Sequence, residues 1–254
     1  MEILRACHSL FLKAPMIEEL AAEGSLRGFK APMVGELAAK GGLRGSLKRR
    51  DTAMSDNITI RSACGDDAAA LARIYAHYVE KTAITFEYTA PDMAEMERRR
   101  QEISRHYPYL VAEIDGKVIG YAYAHAFYGR EAYAWSVESS IYVNVNARKH
   151  GIGRKLYEAM EEELKFMGIL NINACIAVPR DDQDPYVTNG SLNFHQRLGY
   201  TLVGRFHNSG YKFDRWYDVV WMEKMIGPHT IYPKFPAKKI RPLRMRLCRI
   251  KLMK

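Results

Sequence analysis

Between Ser136 and Met167 the chain passes from a strand-like run through a glycine-bearing turn into an amphipathic helix. No other stretch limits its possible folds so tightly. The strand run includes Glu138-Ser139-Ser140-Ile141-Tyr142-Val143, and the turn reads Arg148-Lys149-His150-Gly151-Ile152-Gly153. In the helix, Ile152, Leu156, Ala159, Met160, Leu164 and Met167 fall on one face, and Gly168 closes it. A helix fed directly by a strand must bury its apolar stripe against the sheet. Glycines two apart let the backbone approach a ligand, and the free N–H groups and positive dipole end of the helix favour a diphosphate. Arg148, Lys149 and Arg154 add positive charge. A tight strand-to-helix turn could use the same glycines for geometry alone, but the flanking strand and helix favour the ligand-binding reading.

The elements around this unit follow from periodicity. Ile58 to Arg61 alternates like a short strand, and Asp66-Asp67 precedes a helix carrying Leu71, Ile74, Tyr75 and Tyr78 at helical spacing. A second helix starts near Asp92, after Pro91. Tyr109 to Ile114 and Val118 to Ala124 are strands joined across Asp115-Gly116, a pair suited to a tight hairpin. Beyond the amphipathic helix come a strand at 171–178, a helix at 191–198, and strands at 201–208 and 215–223. This order predicts one twisted mixed sheet covered by helices on both faces.

Charge divides the chain into three parts. Residues 1–53 hold 9 Lys and Arg against 6 Asp and Glu, residues 54–227 hold 20 against 23, and residues 228–254 hold 9 against none. The net charge of +9 therefore belongs mostly to the final segment. In the first part, residues 12–28 and 29–45 agree at 12 of 17 positions, a duplication too short to stack as a solenoid. We expect a weakly structured extension at 1–53, a folded domain at 54–227 and a basic tail at 228–254, with both extensions dispensable for chemistry. Met54-Ser55 also looks like an ordinary protein start. A basic arm at 240–254 could meet nucleic acid by charge alone, but a solvated appendage is the favoured reading. Cys7, Cys64, Cys175 and Cys248 have neither metal-site nor disulfide-framework spacing, no apolar run is long enough to span a bilayer, and the expected location is cytoplasmic.

Read together, these residues resemble a known family. Arg148 to Gly153 is similar to the R/Q-x-x-G-x-G/A acetyl-CoA pyrophosphate loop of the GNAT superfamily of N-acetyltransferases, and its surroundings resemble the phosphinothricin N-acetyltransferase branch. The likeness runs from Ile58 to Met225 and includes Thr85-Phe86-Glu87, Tyr107-Pro108-Tyr109-Leu110-Val111-Ala112-Glu113, Ala132-Tyr133-Ala134-Trp135-Ser136-Val137-Glu138-Ser139 and Gly210-Tyr211-Lys212-Phe213-Asp214-Arg215-Trp216. It implies an α/β (α+β) fold with a single twisted, mostly antiparallel sheet of six to seven strands.

It also implies roles. Ile141, Tyr142 and Val143 would pair with the pantetheine amides of acetyl-CoA, and Arg148, Lys149, His150, Gly151, Ile152 and Gly153 would hold its pyrophosphate. Gly151 and Gly153 are expected to touch ligand rather than core. Asn189 resembles a pantetheine-contacting asparagine, although it stands closer to Ser191 than the family pattern has it. Glu138 matches the general base, chemistry that an ammonium acceptor needs before its nitrogen can attack a thioester. His195 stands where many relatives carry a tyrosine, as an acid for the thiolate or as packing against the sulfur. Phe86, Tyr88, Tyr128, Trp135 and Tyr211 could line an acceptor entrance, with Arg130 or Lys212 to meet a carboxylate or phosphinate. The implied reaction is direct attack, in a ternary complex, by the primary amine of a small amino acid or an analogue such as phosphinothricin or methionine sulfoximine. A polyamine acceptor, a protein amino terminus or a non-catalytic acyl-CoA-binding module remain alternatives. No metal is implied, and a homodimer is compatible with the resemblance.

Overall fold

The computed structural model describes residues 58–147 and 150–237. The duplication, Arg148, Lys149 and the basic run from residue 238 lie outside the described residues. Seven strands form one sheet: β1 (Thr59–Ser62), β2 (Tyr109–Ile114), β3 (Lys117–Ala126), β4 (Ser136–Val143), β5 (Asn171–Val178), β6 (Thr201–Lys212) and β7 (Arg215–Met225). Their spatial order is β1-β2-β3-β4-β5-β7-β6. Among the described residues four α-helices accompany them: α1 (Ala68–Lys81), α2 (Met93–Ser104), α3 (Ile152–Met167) and α4 (Gly190–Arg197). The sheet is mixed and mostly antiparallel. Only β4 and β5 run parallel, and they pair at just three positions, Ser136↔Asn171, Val137↔Ile172 and Glu138↔Asn173.

Alternation along the strands gives the sheet two apolar faces. On one, Leu110, Ala122, Ala124, Val137, Ile172, Ala174, Val220 and Met222 pack against Ile152, Leu156, Tyr157, Met160, Leu164 and Met167 of α3. On the other, Tyr109, Val111 and Tyr121 pack against Leu71, Ile74, Tyr75, Tyr78 and Val79 of α1 and Met96 of α2. Burying one such aliphatic side chain contributes about 1.5–3 kcal/mol. Helix α3 starts at Gly151 and ends at Gly168, both left-handed, with the Gly168 N–H closing on the Leu164 and Lys165 carbonyls. Asp92 caps α2, its carboxylate accepting from the Glu95 amide.

The β2–β3 turn has positive φ at both Asp115 and Gly116, as the Asp-Gly pair predicts. Another turn differs from sequence expectation. Strand β6 does not stop near Asn208 but continues to Lys212 across an irregularity between Phe206 and Gly210, then reverses through Phe213 and Asp214, again both at positive φ. The Phe213 ring stacks on Tyr186 at 4.2 Å, and this contact holds a phenylalanine in a conformation that normally favours glycine or asparagine.

The chain stays on the domain past Gly227. Trp135 Nε1 donates to the Lys234 carbonyl at 2.9 Å, the Trp135 and Phe235 rings lie 5.2 Å apart, and the Ala237 N–H donates to the Met167 carbonyl at 2.8 Å. Among the described residues, no helix is long and apolar enough to cross a membrane.

Candidate active site

The site is organised by the place where β4 and β5 part. Glu138↔Asn173 is their last ladder pair, and side chains take over the bonding there. Ser139 Oγ donates to the Asn173 carbonyl, and Asn173 Nδ2 donates to the Val137 carbonyl, both at 3.2 Å and both buried. Beyond this latch β5 stays with β7 and β4 stays with β3, so a gap opens between Ser139–Val143 and Ala174–Val178.

Backbone direction within the gap separates the three residues named for pantetheine. The Asn144 N–H donates to the Ile119 carbonyl and the Ser136 carbonyl accepts from the Phe127 N–H, so even-numbered β4 residues bond toward β3. By alternation Ser139, Ile141 and Val143 turn their peptide groups toward the gap. Tyr142 does not, and its side chain packs edge-on against Tyr75 and Tyr78. The Val143 N–H donates to the Tyr78 hydroxyl at 3.0 Å and that hydroxyl donates to the Val143 carbonyl at 2.6 Å. Of the three, Ile141 directs its peptide groups into the gap with no backbone hydrogen-bond partner on β3.

At the foot of the gap, α3 begins with no side-chain cap. Its first amides are therefore oriented as an anion site. Gly151 has φ +77° and nothing within 4 Å of where a Cβ would stand. Gly153 differs from expectation, because a Cβ there would lie 2.9 Å from the Phe194 ring and 3.5 Å from Ile141. At 153, therefore, α3 passes close to the Phe194 side chain of α4. Ile152 is buried beneath the turn, and His150 Nδ1 is buried with no hydrogen-bond partner among the described residues. Asn189 sits at the start of α4, with Nδ2 3.3 Å from Asp182 Oδ1, tied to the acidic run upstream.

Glu138 lies on the sheet face opposite α3, its side chain 23 % exposed. Burial raises its carboxyl above the ordinary carboxylate value, and His125, when protonated, opposes that rise. His125 is its direct partner across the β3–β4 ladder, with Nε2 3.9 Å from Oε2.

His195 is placed differently from a freely available acid. It is buried in α4, ringed by Tyr157, Phe194 and Tyr200. Nδ1 lies 2.8 Å from the Ser191 carbonyl, which can only accept, so Nδ1 carries the proton. Nε2, 2.9 Å from the Tyr157 hydroxyl, must then accept from it. Burial lowers the pKa of His195, partly offset by the Ser191 carbonyl. A neutral imidazole with both nitrogens committed has no proton free for a thiolate.

The proposed acceptor residues divide between two places. Phe86 lies against Gly210, and Tyr88 donates to the Tyr211 carbonyl. Lys212 is a correction: it is buried, with Nζ 2.9 Å from the Thr82 carbonyl and 2.8 Å from the Thr85 carbonyl. Its charge fastens the α1–α2 loop to β6 instead of facing solvent. Glu87 fastens the same loop, accepting from Tyr75 and from Arg99. Tyr128 stands elsewhere, with Phe127 and Tyr133, while Arg130 is exposed beside them. Trp135 packs on residues 234–235.

Sequence reasoning did not single out His125, Asn173 or Tyr157. Only the strand register, which sets His125 and Asn173 on either side of Glu138, makes the first two visible. Among the described residues no three His, Cys, Asp or Glu side chains gather as a metal site.

Comparison with known proteins gives the geometry a context. Residues 60–221 match the family model for the acetyltransferase (GNAT) domain. The chain is 33 % identical to a phosphinothricin N-acetyltransferase of Streptomyces viridochromogenes, over 72 % of this chain and 96 % of the relative. It is 31 % identical to an L-methionine sulfoximine/L-methionine sulfone acetyltransferase of Salmonella typhimurium, over 68 % of this chain and 97 % of the relative. Among solved structures, a GNAT superfamily phosphinothricin acetyltransferase from Sinorhizobium meliloti in complex with acetyl-CoA superposes with a TM-score of 0.62 at 34 % identity, over 73 % of this chain and 96 % of that one.

Proposed function

We propose that this chain, which belongs to the acetyltransferase (GNAT) family, moves an acetyl group from acetyl-CoA to the primary amine of a small amino acid or analogue of the phosphinothricin and methionine sulfoximine kind. The observation that carries this reading is the fork. A carboxylate with a raised pKa stands at the last β4–β5 pair, next to a gap that leads toward an uncapped, glycine-started helix.

In the proposed reaction Ile141 offers its peptide groups to the pantetheine chain, and the first turn of α3 takes the pyrophosphate. Arg148 and Lys149 would add charge at that turn. Glu138 accepts a proton from the ammonium acceptor, directly or through water, and the freed amine attacks the thioester carbonyl. Its raised pKa suits a base, since a carboxylate in the ordinary range is a weak acceptor near neutral pH. His195 and Tyr157 keep α4 seated on α3 at the edge of the gap and supply no proton. Phe86, Tyr211 and the loop held by Lys212 form one wall of the acceptor entrance, while Tyr128 and Arg130 stand at another.

Thiol release from acetyl-CoA tests this. Phosphinothricin, methionine sulfoximine and methionine sulfone should be turned over well ahead of polyamines and peptide amino termini. Substituting Glu138→Gln should lower kcat by about 10²–10⁴ with acetyl-CoA affinity unchanged. Faster turnover of a polyamine or peptide would reassign the acceptor, and a wild-type rate in the Gln variant would move the base elsewhere.

A further inference from the structure

We propose that His125 is the exit for the acceptor's proton, receiving it from Glu138 and delivering it to solvent. This rests on Glu138 being the base. The ladder fixes the pair: His125 and Glu138 are directly opposed on adjacent antiparallel strands, so their side chains share a face. His125 Nδ1 lies 3.0 Å from the Ala126 carbonyl, which only accepts, so the ring hydrogen resides on Nδ1. The lone pair is then on Nε2, and Nε2 is the nitrogen 3.9 Å from Glu138 Oε2. A small rotation of either side chain, or one intervening water, completes a path between them. The accessibility gradient runs the right way, from a Glu138 side chain 23 % exposed to a His125 side chain 37 % exposed.

Turnover requires that Glu138 be cleared of a proton in every cycle. As the C–N bond forms and the C–S bond breaks, an ammonium acceptor gives up two protons. One leaves with the sulfur as thiol. The other is left on Glu138, which must lose it before the next cycle. Transfer from Oε2 to Nε2 yields carboxylate and imidazolium, and the imidazolium discharges to water from its exposed edge. An imidazole can take a proton on one ring nitrogen and release one to water, the chemistry a relay needs.

Other ionisable groups near the pair come from each neighbouring element. Tyr123, two residues away on β3, has its ring 6.1 Å from His125, and Glu87 and Arg99 act on that tyrosine from the α1–α2 loop and α2. From the far side of β4, Tyr157 feels the Glu138 charge. None of them combines a free nitrogen lone pair with a position opposite Glu138.

The test is chemical rescue. His125→Ala should lower kcat at neutral pH by about tenfold or more, and added imidazole should restore it in proportion to concentration. The acidic limb of kcat/KM should also move to higher pH, because at low pH the imidazolium form of His125 no longer stands opposite Glu138 to favour its carboxylate. His125→Gln, which keeps a polar side chain on this partly exposed strand, should behave alike and controls for folding. A kcat that is unchanged, or that falls without response to imidazole, overturns the relay. Glu138→Gln assayed in parallel separates the two ideas: loss there with a normal His125→Ala enzyme removes only the relay, whereas a normal Glu138→Gln enzyme removes the base assignment itself.

Discussion

Glu138 is held where its charged form is disfavoured, and that has a stability consequence separate from its chemistry. Its folded pKa lies above the unfolded one because of burial, opposed by His125. The folded state therefore holds the proton more tightly. As pH rises from the unfolded value through the folded value, stability is lost, and the penalty stays constant above that window. Glu138→Gln removes the ionisation. The variant should unfold at a higher temperature than the parent near pH 8, and the difference should shrink as pH falls from the raised folded value to the ordinary carboxylate value, vanishing below it. Thermal melts at several pH values check this, and a variant no more stable at pH 8 would mean that the carboxylate bears no net burial penalty. Glu138 is singled out in sequence only by the resemblance of its run to a known family, and its burial and its pairing with His125 become visible only in the strand register. The burial of Lys212 and His195 is not legible in sequence, because burial is not local. A lysine in a polar hairpin reads as exposed until Thr82 and Thr85, well over a hundred residues upstream, are found to accept its hydrogens.

The elements were largely readable where one period or one turn chemistry dominates. The stripe on α3 and the Asp115-Gly116 hairpin are such cases. Phe213-Asp214 is the contrary case, a two-residue reversal without glycine or asparagine, tolerated because Tyr186 stacks on Phe213 and Lys212 lies 5.1 Å from its ring centre. Propensity carries no trace of a stabilising contact that distant in sequence. The glycines of the α3 turn look equivalent in sequence but diverge in space. Gly153→Ala should cost about 1–3 kcal/mol through overlap with Phe194. Gly151→Ala should cost about 1–2 kcal/mol through its left-handed backbone, with no steric clash. Urea melts together with acetyl-CoA titrations distinguish them: a loss of affinity without a steric cause at 151 supports the anion reading of the turn, and an unperturbed Gly153→Ala protein would refute the packing role.

For the molecule as a whole, charge marks the tail accurately as basic, yet charge does not set the structural boundary. Contacts through Lys234, Phe235 and Ala237 tie the described tail to Trp135 and to the end of α3. A chain of residues 54–237 should therefore melt above one of residues 54–227, with both retaining acetyl transfer. Equal melting temperatures would show that these contacts add nothing. The three-pair seam between β4 and β5 has a further consequence, for cooperativity. Two antiparallel half-sheets, β1-β2-β3-β4 and β5-β7-β6, share a single short stretch of ladder, so subglobal opening along this line is the cheapest way for backbone amides near the fork to meet solvent. A ligand lying along β4 would act as mortar between the halves, because binding to the closed form withdraws population from the open one. Deuterium uptake at Ser139, Ile141 and the facing residues of β5 should then slow when acetyl-CoA is added, while the outer hairpins, β2 with β3 and β6 with β7, exchange as before.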